Sequence, residues 1–400
     1  MGKPMEKEKA FFLQVLADYL NGRVTKAPEN LDWGVLETIG QKQQLAGILY
    51  HQCKNSIAQS DLPTEVKKKW KMEYVYGSFL YSKRLALLKQ VDTEFLKDNI
   101  QYLIFKGLEV AKFYPVPAQR SMSDIDLLVH EEDKQKACDT LCRLGFEMDT
   151  SQPVEWKGSK NEIEIELHHK LIYNYYKSVE LNSFQTWGDK VWNHVIIQKD
   201  KAQCELDLTF HLVYVLLHLR RHFLEAGVGF RQFMDVAVLV SQPEINWMQA
   251  VSWFQELNIE KFSQVCFALC KRWFCVNIPT TETKIQEDFY NDATEKIFNN
   301  GVFGSINEDY NENIIFNEAR FTKSSGTYSL LKLIFLPYKD MRGKSYCRFL
   351  DGRPYLLPVA WCWRCIYLLF SRKNAAAYLK GAYSSETKKK KEEMLSRWGL

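Results

Sequence analysis

The residues best suited to chemistry are two aspartates in the run Arg120-Ser-Met-Ser-Asp124-Ile-Asp126-Leu-Leu-Val129. In a strand, side chains two apart point to the same face, so Asp124 and Asp126 project side by side while Ile125 and Leu127 pack beneath. Adjacent carboxylates repel unless a cation lies between them. Hard divalent ions such as Mg²⁺ take oxygen ligands and commonly keep waters and phosphates as the rest of their shell. An Asp-x-Asp at a strand end is thus a seat for a metal–nucleotide complex, or, in the bland alternative, a solvated strand edge.

Two further stretches belong to the same argument. Upstream, Tyr102-Leu-Ile-Phe-Lys106-Gly107-Leu108-Glu109-Val110-Ala111 is an apolar run broken by glycine and followed by a helix-like segment. Glycine lets backbone N–H groups approach a phosphate, and a helix start favours an anion. Downstream, Glu162-Ile-Glu164-Ile-Glu166-Leu-His168-His169 alternates strictly. Glu162, Glu164, Glu166 and His168 therefore share one face, and Ile163, Ile165 and Leu167 the other. A third carboxylate from this strand can reach the aspartate pair.

The ordered set resembles the nucleotidyltransferase fold of the DNA polymerase beta-like superfamily. More closely, it resembles the bacterial family called uncharacterised nucleotidyltransferase. The pattern is carried by Lys106-Gly107, Arg120, Asp124 to Val129, Gly145-Phe146 and Glu166-Leu167-His168, then by His218, His222, Arg231 and Asp235. The similarity spans roughly residues 30 to 370. One departure is Leu108, where the superfamily commonly has Gly or Ser after the turn glycine.

The resemblance implies a metal-dependent transfer of an NMP group from an NTP to a hydroxyl or phosphate acceptor, with Mg²⁺ or Mn²⁺ as cofactor. Asp124 and Asp126 would be metal ligands and Glu166 the third carboxylate, holding a second ion and taking the acceptor proton; Glu164 is the reserve. Lys106 and Gly107 would border the triphosphate. Arg120 would neutralise phosphate or pair with Asp124 or Asp126. His168 would contact the nucleotide, orient a carboxylate, or sit as a satisfied half-buried histidine. Two other readings share the fold: a catalytically weak or inactive nucleotide-binding protein, and a toxin-like nucleotidyltransferase that modifies RNA or protein.

His218 and His222 lie four apart on one helix face, as zinc ligands would, but the His-Glu-x-x-His pattern of zinc proteases is missing. Arg231 and Asp235 are also four apart, the spacing of a helix-face ion pair. A kinase is disfavoured because no Gly-rich loop with a His-Arg-Asp segment occurs.

These residues need a scaffold, and the composition supplies one. The chain has 400 residues, 46% hydrophobic and 26% charged, which is enough apolar material for a sizeable core. The net charge of +4 is too balanced to indicate a nucleic-acid-binding surface, although a nucleic-acid acceptor is compatible with it. Ten scattered cysteines and a polar N-terminus point to free thiols in the cytoplasm. Cys362 and Cys365 have CxxC spacing without a second pair, and Cys266, Cys270 and Cys275 read as small core residues.

The expected architecture is α+β: a mixed sheet with helices on one face, flanked by N-terminal and C-terminal helical regions. Residues 1–98 read as helical, with Asp32 capping a helix from Trp33 that buries Leu36, Ile39 and Leu45. Residues 99–204 form the catalytic unit: strands at 101–105, 124–129, 146–149, 153–157 and 162–168, a short helix at 107–114, and a covering helix at 131–144 that carries Ala137, Leu141 and Leu144 and stops at Gly145. Residues 205–300 read as a second helical domain, with 276–330 polar, looped and holding short helices. Residues 301–400 form a helical, basic region. There, Tyr355 to Phe370 is too short to span a bilayer, and Lys388 to Lys391 lie beyond it. Such a helix could cover the rest of the fold, or rest on an anionic membrane surface as a peripheral contact.

Overall fold

The computed structural model describes residues 6–152, 154–174, 179–225, 227–279, 284–302, 335–342, 345–370 and 385–400. The chain opens with helices α1 (Lys7–Leu20), α2 (Trp33–Lys42), α3 (Ala46–Gln59) and the 34-residue α4 (Thr64–Lys97). Asp32 caps α2 as expected, its carboxylate accepting the N–H groups of Gly34 at 3.0 Å and Val35 at 3.1 Å. Leu45 is buried but stands at the start of α3, not on α2, because α2 ends at Lys42.

Then follow β1 (Tyr102–Ile104), α5 (Gly107–Ala111), β2 (Asp124–Val129), α6 (Lys134–Arg143), β3 (Glu147–Asp149), β4 (Glu155–Lys160), β5 (Ile163–His168), α7 (Val179–Gly188), β6 (Val195–Ile196) and β7 (Gln203–Leu206). Among the described residues seven strands form one sheet in the order β3-β4-β5-β2-β1-β7-β6. The three expected central strands are neighbours, with β2 parallel to β5 and antiparallel to β1. The strand expected at 153–157 runs from Glu155 to Lys160 instead, pairing with β5 along its whole length.

Period-two alternation divides the core. Ile125, Leu127 and Val129 of β2 and Ile163, Ile165 and Leu167 of β5 point to one face. There they meet Ala137, Cys138 and Leu141 of α6, the expected cover, and also Leu87, Leu88, Val91 and Phe95 from the second half of α4. α6 stops at Gly145, whose φ of +89° is a left-handed conformation suited to glycine. On the opposite face, Leu103, Leu128 and Cys204 join the larger core with α8 (Leu208–Glu225), leaving the Asp124 end of β2 open.

α8 continues into α9 (Phe230–Val240), α10 (Trp247–Glu256), α11 (Glu260–Phe274) and α12 (Glu287–Asn300). α12 spans 14 residues where only short helices were expected, its buried Phe289, Ala293 and Ile297 recurring at helical spacing. Cys266 and Cys270 are buried in α11, but Cys275 is exposed, because it adopts a left-handed conformation just past the helix end. Residues 303–334, part of the expected polar segment, lie outside the described residues. The helix Leu357–Phe370 packs Ala360 against Met341, Cys347 and Leu350, and exposes Val359, Trp363, Ile366 and Tyr367; Tyr355, just before it, is exposed too. The last helix, Ser385–Arg397, is anchored by Trp398, which packs on Phe223, Phe233 and Phe289. No helix of the described residues is long and apolar enough to cross a membrane.

Candidate active site

The parallel register of β2 and β5 sets Asp124 opposite Glu164 and Asp126 opposite Glu166. Glu164 is exposed and Glu162 turns outward to Lys83 at 3.3 Å, whereas Glu166 faces inward. Asp124, Asp126, Glu166, Lys106, Gly107, Arg120 and His168, all singled out from the sequence, line one cleft of about 390 Å³.

Charge at the base of the cleft is tightly paired. Lys106, between β1 and α5, places its Nζ 2.5 Å from Asp126 Oδ1. His168 Nε2 donates toward the same oxygen at 3.2 Å and lies 3.5 Å from Glu166 Oε2. Lys157 of β4 reaches Glu166 Oε1 at 2.6 Å. Burial works against the Asp126 carboxylate, but Lys106 and His168 outweigh it and hold its pKa well below the usual range. Burial likewise opposes Glu166, and hydrogen bonds from His168 and Lys157 bring it to about 2. Asp124 goes the other way: burial and then the like charges of Asp126 and Glu166 push it up. His168 is raised, because its bonds to Asp126 and Glu166 overcome its own burial.

The loop leading into β2 is clamped by arginines. Arg84 of α4 donates to the carbonyls of Met122 at 3.1 Å and Ser123 at 3.2 Å. Arg231 of α9 donates to the carbonyl of Ser121 at 2.7 Å. Arg120 was expected to meet phosphate, Asp124 or Asp126; its guanidinium is instead held by Asp235 through Nε at 3.0 Å and Nη2 at 2.7 Å. The two-point geometry matches the guanidinium fork, and Tyr114 completes the set by donating to Asp235 Oδ1 at 2.7 Å. The expected Arg231–Asp235 ion pair does not form among the described residues, because Asp235 is taken by Arg120. Gly107 is needed for close approach: a Cβ there would lie 3.1 Å from Arg120 Nη1. Leu108, the departure from the superfamily, is buried in the core behind the sheet.

The far wall of the cleft comes from α8, where Tyr214, His218, Arg221 and His222 face the carboxylates. His218 and His222 share a face as their spacing predicts, with their Nε2 atoms 2.9 Å apart. Burial, then Arg221 and Lys106, lower His222 to about 3. Sequence reasoning missed Tyr214, Arg221, Lys157 and Arg84. Tyr214 and Arg221 had a usable signal, since they lie four residues before and three residues after His218 on the helix. Lys157 and Arg84 had none, because their partners come from other elements.

The donor chemistry fits a divalent cation. Among the described residues, Asp126, Glu166 and His168 bring three ligand atoms within 4.8 Å of one another, and Asp124 adds a further carboxylate to the same cleft.

A mixed sheet whose adjacent central strands gather carboxylates, a lysine and a histidine in one cleft is the frame of the candidate site. Residues 29–275 match the family described as Uncharacterised nucleotidyltransferase, and the chain belongs to that family. The match supports nucleotidyl transfer as the general activity. No curated protein and no solved structure matches the chain.

Proposed function

We propose that this protein transfers an NMP group from an NTP to a hydroxyl or phosphate acceptor, with a divalent ion held by Asp126, Glu166 and Asp124. The observation that carries the reading is the pairing of Asp126 with Glu166 across β2 and β5, beside Lys106 and at the base of the cleft. When bound, the ion would offset the negative charge of the triphosphate and of the reacting oxygens.

The chain's own residues do the rest. Asp126 and Glu166 stay ionised at neutral pH, so both are ready to hold a cation. A carboxylate with a pKa near 2 is a weak proton acceptor, so we place Glu166 first as an ion holder. Asp124, in the same cleft, adds a further carboxylate to the ion's shell. Lys106 supplies a point charge for phosphate once its hold on Asp126 is shared with the ion. Arg84, Arg120 and Arg231 touch the loop, not the reacting atoms. They position Asp124 and Asp126 before substrate arrives.

The closed Lys106–Asp126 pair favours one second reading, a catalytically weak protein that binds nucleotide on the same fold. Two measurements separate the readings. Thermal shifts of the purified chain with each of the four NTPs, with and without MgCl₂ or MnCl₂, should reveal stabilisation that needs both metal and nucleotide. An NTP at 100 times its Kd adds about 2.7 kcal/mol. Label transferred from an α-³²P-NTP to an acceptor in a cell extract would support transfer. Stabilisation without any label transfer would favour the silent binder, and no stabilisation by any pair would sink both.

A further inference from the structure

We propose that His168 is a direct ligand of the bound ion, so that the site selects a first-row transition ion of the Mn²⁺ type over Mg²⁺. This rests on the nucleotidyltransferase reading and names the ion it uses.

The argument starts from which atoms converge. Three carboxylates were expected from the strands, yet the tightest group is two carboxylates and one imidazole, from Asp126, Glu166 and His168. Asp124 lines the cleft but falls outside that group. His168 presents Nε2 to both carboxylates at once, at 3.2 Å and 3.5 Å, and the ion would take the place of the proton that Nε2 donates there, so binding releases it. Its ring is buried and held edge-on by Phe105, centroid to centroid 5.2 Å, and Phe105 is itself packed against Tyr214 at 5.5 Å. A histidine fixed in this way cannot swing out of the group without disturbing the core.

The chemistry follows from the donor set. Mg²⁺ prefers oxygen and gives up water reluctantly. Imidazole nitrogen suits later, softer divalent ions, and affinity rises along the series that begins with Mn²⁺. An oxygen-only site would leave the choice to the surrounding concentrations, whereas a buried nitrogen shifts it. Mn²⁺ is the mildest member of its series, so a preference seen with it is a conservative test.

The experiment uses the full chain without nucleotide. MnCl₂ is titrated while the electron paramagnetic resonance signal of free Mn²⁺ is followed, and MgCl₂ is then added in competition. Wild type should bind Mn²⁺ more tightly than Mg²⁺, so that MgCl₂ at equal concentration does not displace it. Pulsed spectra of the Mn²⁺-loaded protein should carry the ¹⁴N modulation of a coordinated imidazole. His168→Gln should lose that modulation and weaken Mn²⁺ by about 10–100-fold, the range seen when metal sites lose supporting groups, with Mg²⁺ little changed. His218→Gln and His222→Gln should each keep it, which excludes the two cleft-lining histidines of α8 as its source. Mn²⁺ bound without nitrogen coupling, or bound no better than Mg²⁺, overturns the proposal and leaves the nucleotidyltransferase reading standing. Binding of neither ion overturns the proposal, and the thermal shift with metal and NTP together then decides the nucleotidyltransferase reading. Should His168→Gln fail to fold, the wild-type spectrum alone decides.

Discussion

Asp126 is where the charges of the site meet: it is buried, bonded to Lys106 and His168, and adjacent to Glu166. Asp126→Asn should abolish the metal-dependent thermal shift with NTP, and Asp124→Asn should weaken or abolish it. Wild-type behaviour in both variants would show that the ion lies elsewhere. Glu166→Gln should lower turnover by about 10²-fold or more, in the range of a lost catalytic group, while Glu164→Gln, exposed on the same strand, should do much less. The reverse ranking in a label-transfer assay would move the third carboxylate to Glu164. At this scale the sequence was informative where spacing carries geometry. Asp124, Asp126, Glu166 and His168 are set by alternation along two strands. The partner of Arg120 was not legible, since Asp235 lies 115 residues away and only the tertiary fold brings it near.

Among the elements, α5 and the loop before β2 are mutually constrained. Gly107→Ala would put a methyl group 3.1 Å from an Arg120 guanidinium that Asp235 holds at two points. The arginine cannot yield freely, so urea denaturation should show a loss of about 1–3 kcal/mol, the usual cost of overpacking. Asp235→Ala should cost more, about 3–5 kcal/mol, because it strands a buried arginine charge and the Tyr114 hydroxyl. If the two variants melt like wild type, the clamp is not part of the folded core. The helix α6 and the central strands were legible because each carries a clean period of its own. The role of α4 was only half legible. Leu85, Leu87, Leu88 and Val91 announce a helix, but nothing in them says that the same helix covers the sheet and, through Arg84, holds the loop.

For the whole molecule, acid is the informative perturbation. His211 is buried, His218 and His222 are half-buried in the cleft wall, and all three are kept neutral, with His211 lowered to about 4 and His222 to about 3. Between those values and the ordinary histidine pKa of about 6.5, the unfolded chain binds protons that the folded chain refuses, so stability falls as pH drops through that window. His168 is shifted upward and offsets part of this loss. Below about pH 4.5 the paired Glu166 and Asp126 add to it, since their pKa values are depressed by folding. Scanning calorimetry should find the Tm lower at pH 5 than at pH 7, and an unchanged Tm would mean that these histidines are solvated. The general architecture was legible from composition and alternation. The joining of the first helices to α8–α12 in one core was not, because contacts such as Phe12 with Phe230 and Phe298 have no local signature. The arginine clamp gives this joining a kinetic meaning. Residues 121–123 are tied to α4 on one side and α9 on the other. The cleft edge therefore cannot loosen alone: breathing there requires both attachments to release. In hydrogen–deuterium exchange, the amides at the start of β2 should follow the slow, cooperative openings of the whole fold, although they sit at the rim of an open cleft where fast local exchange would be the ordinary expectation.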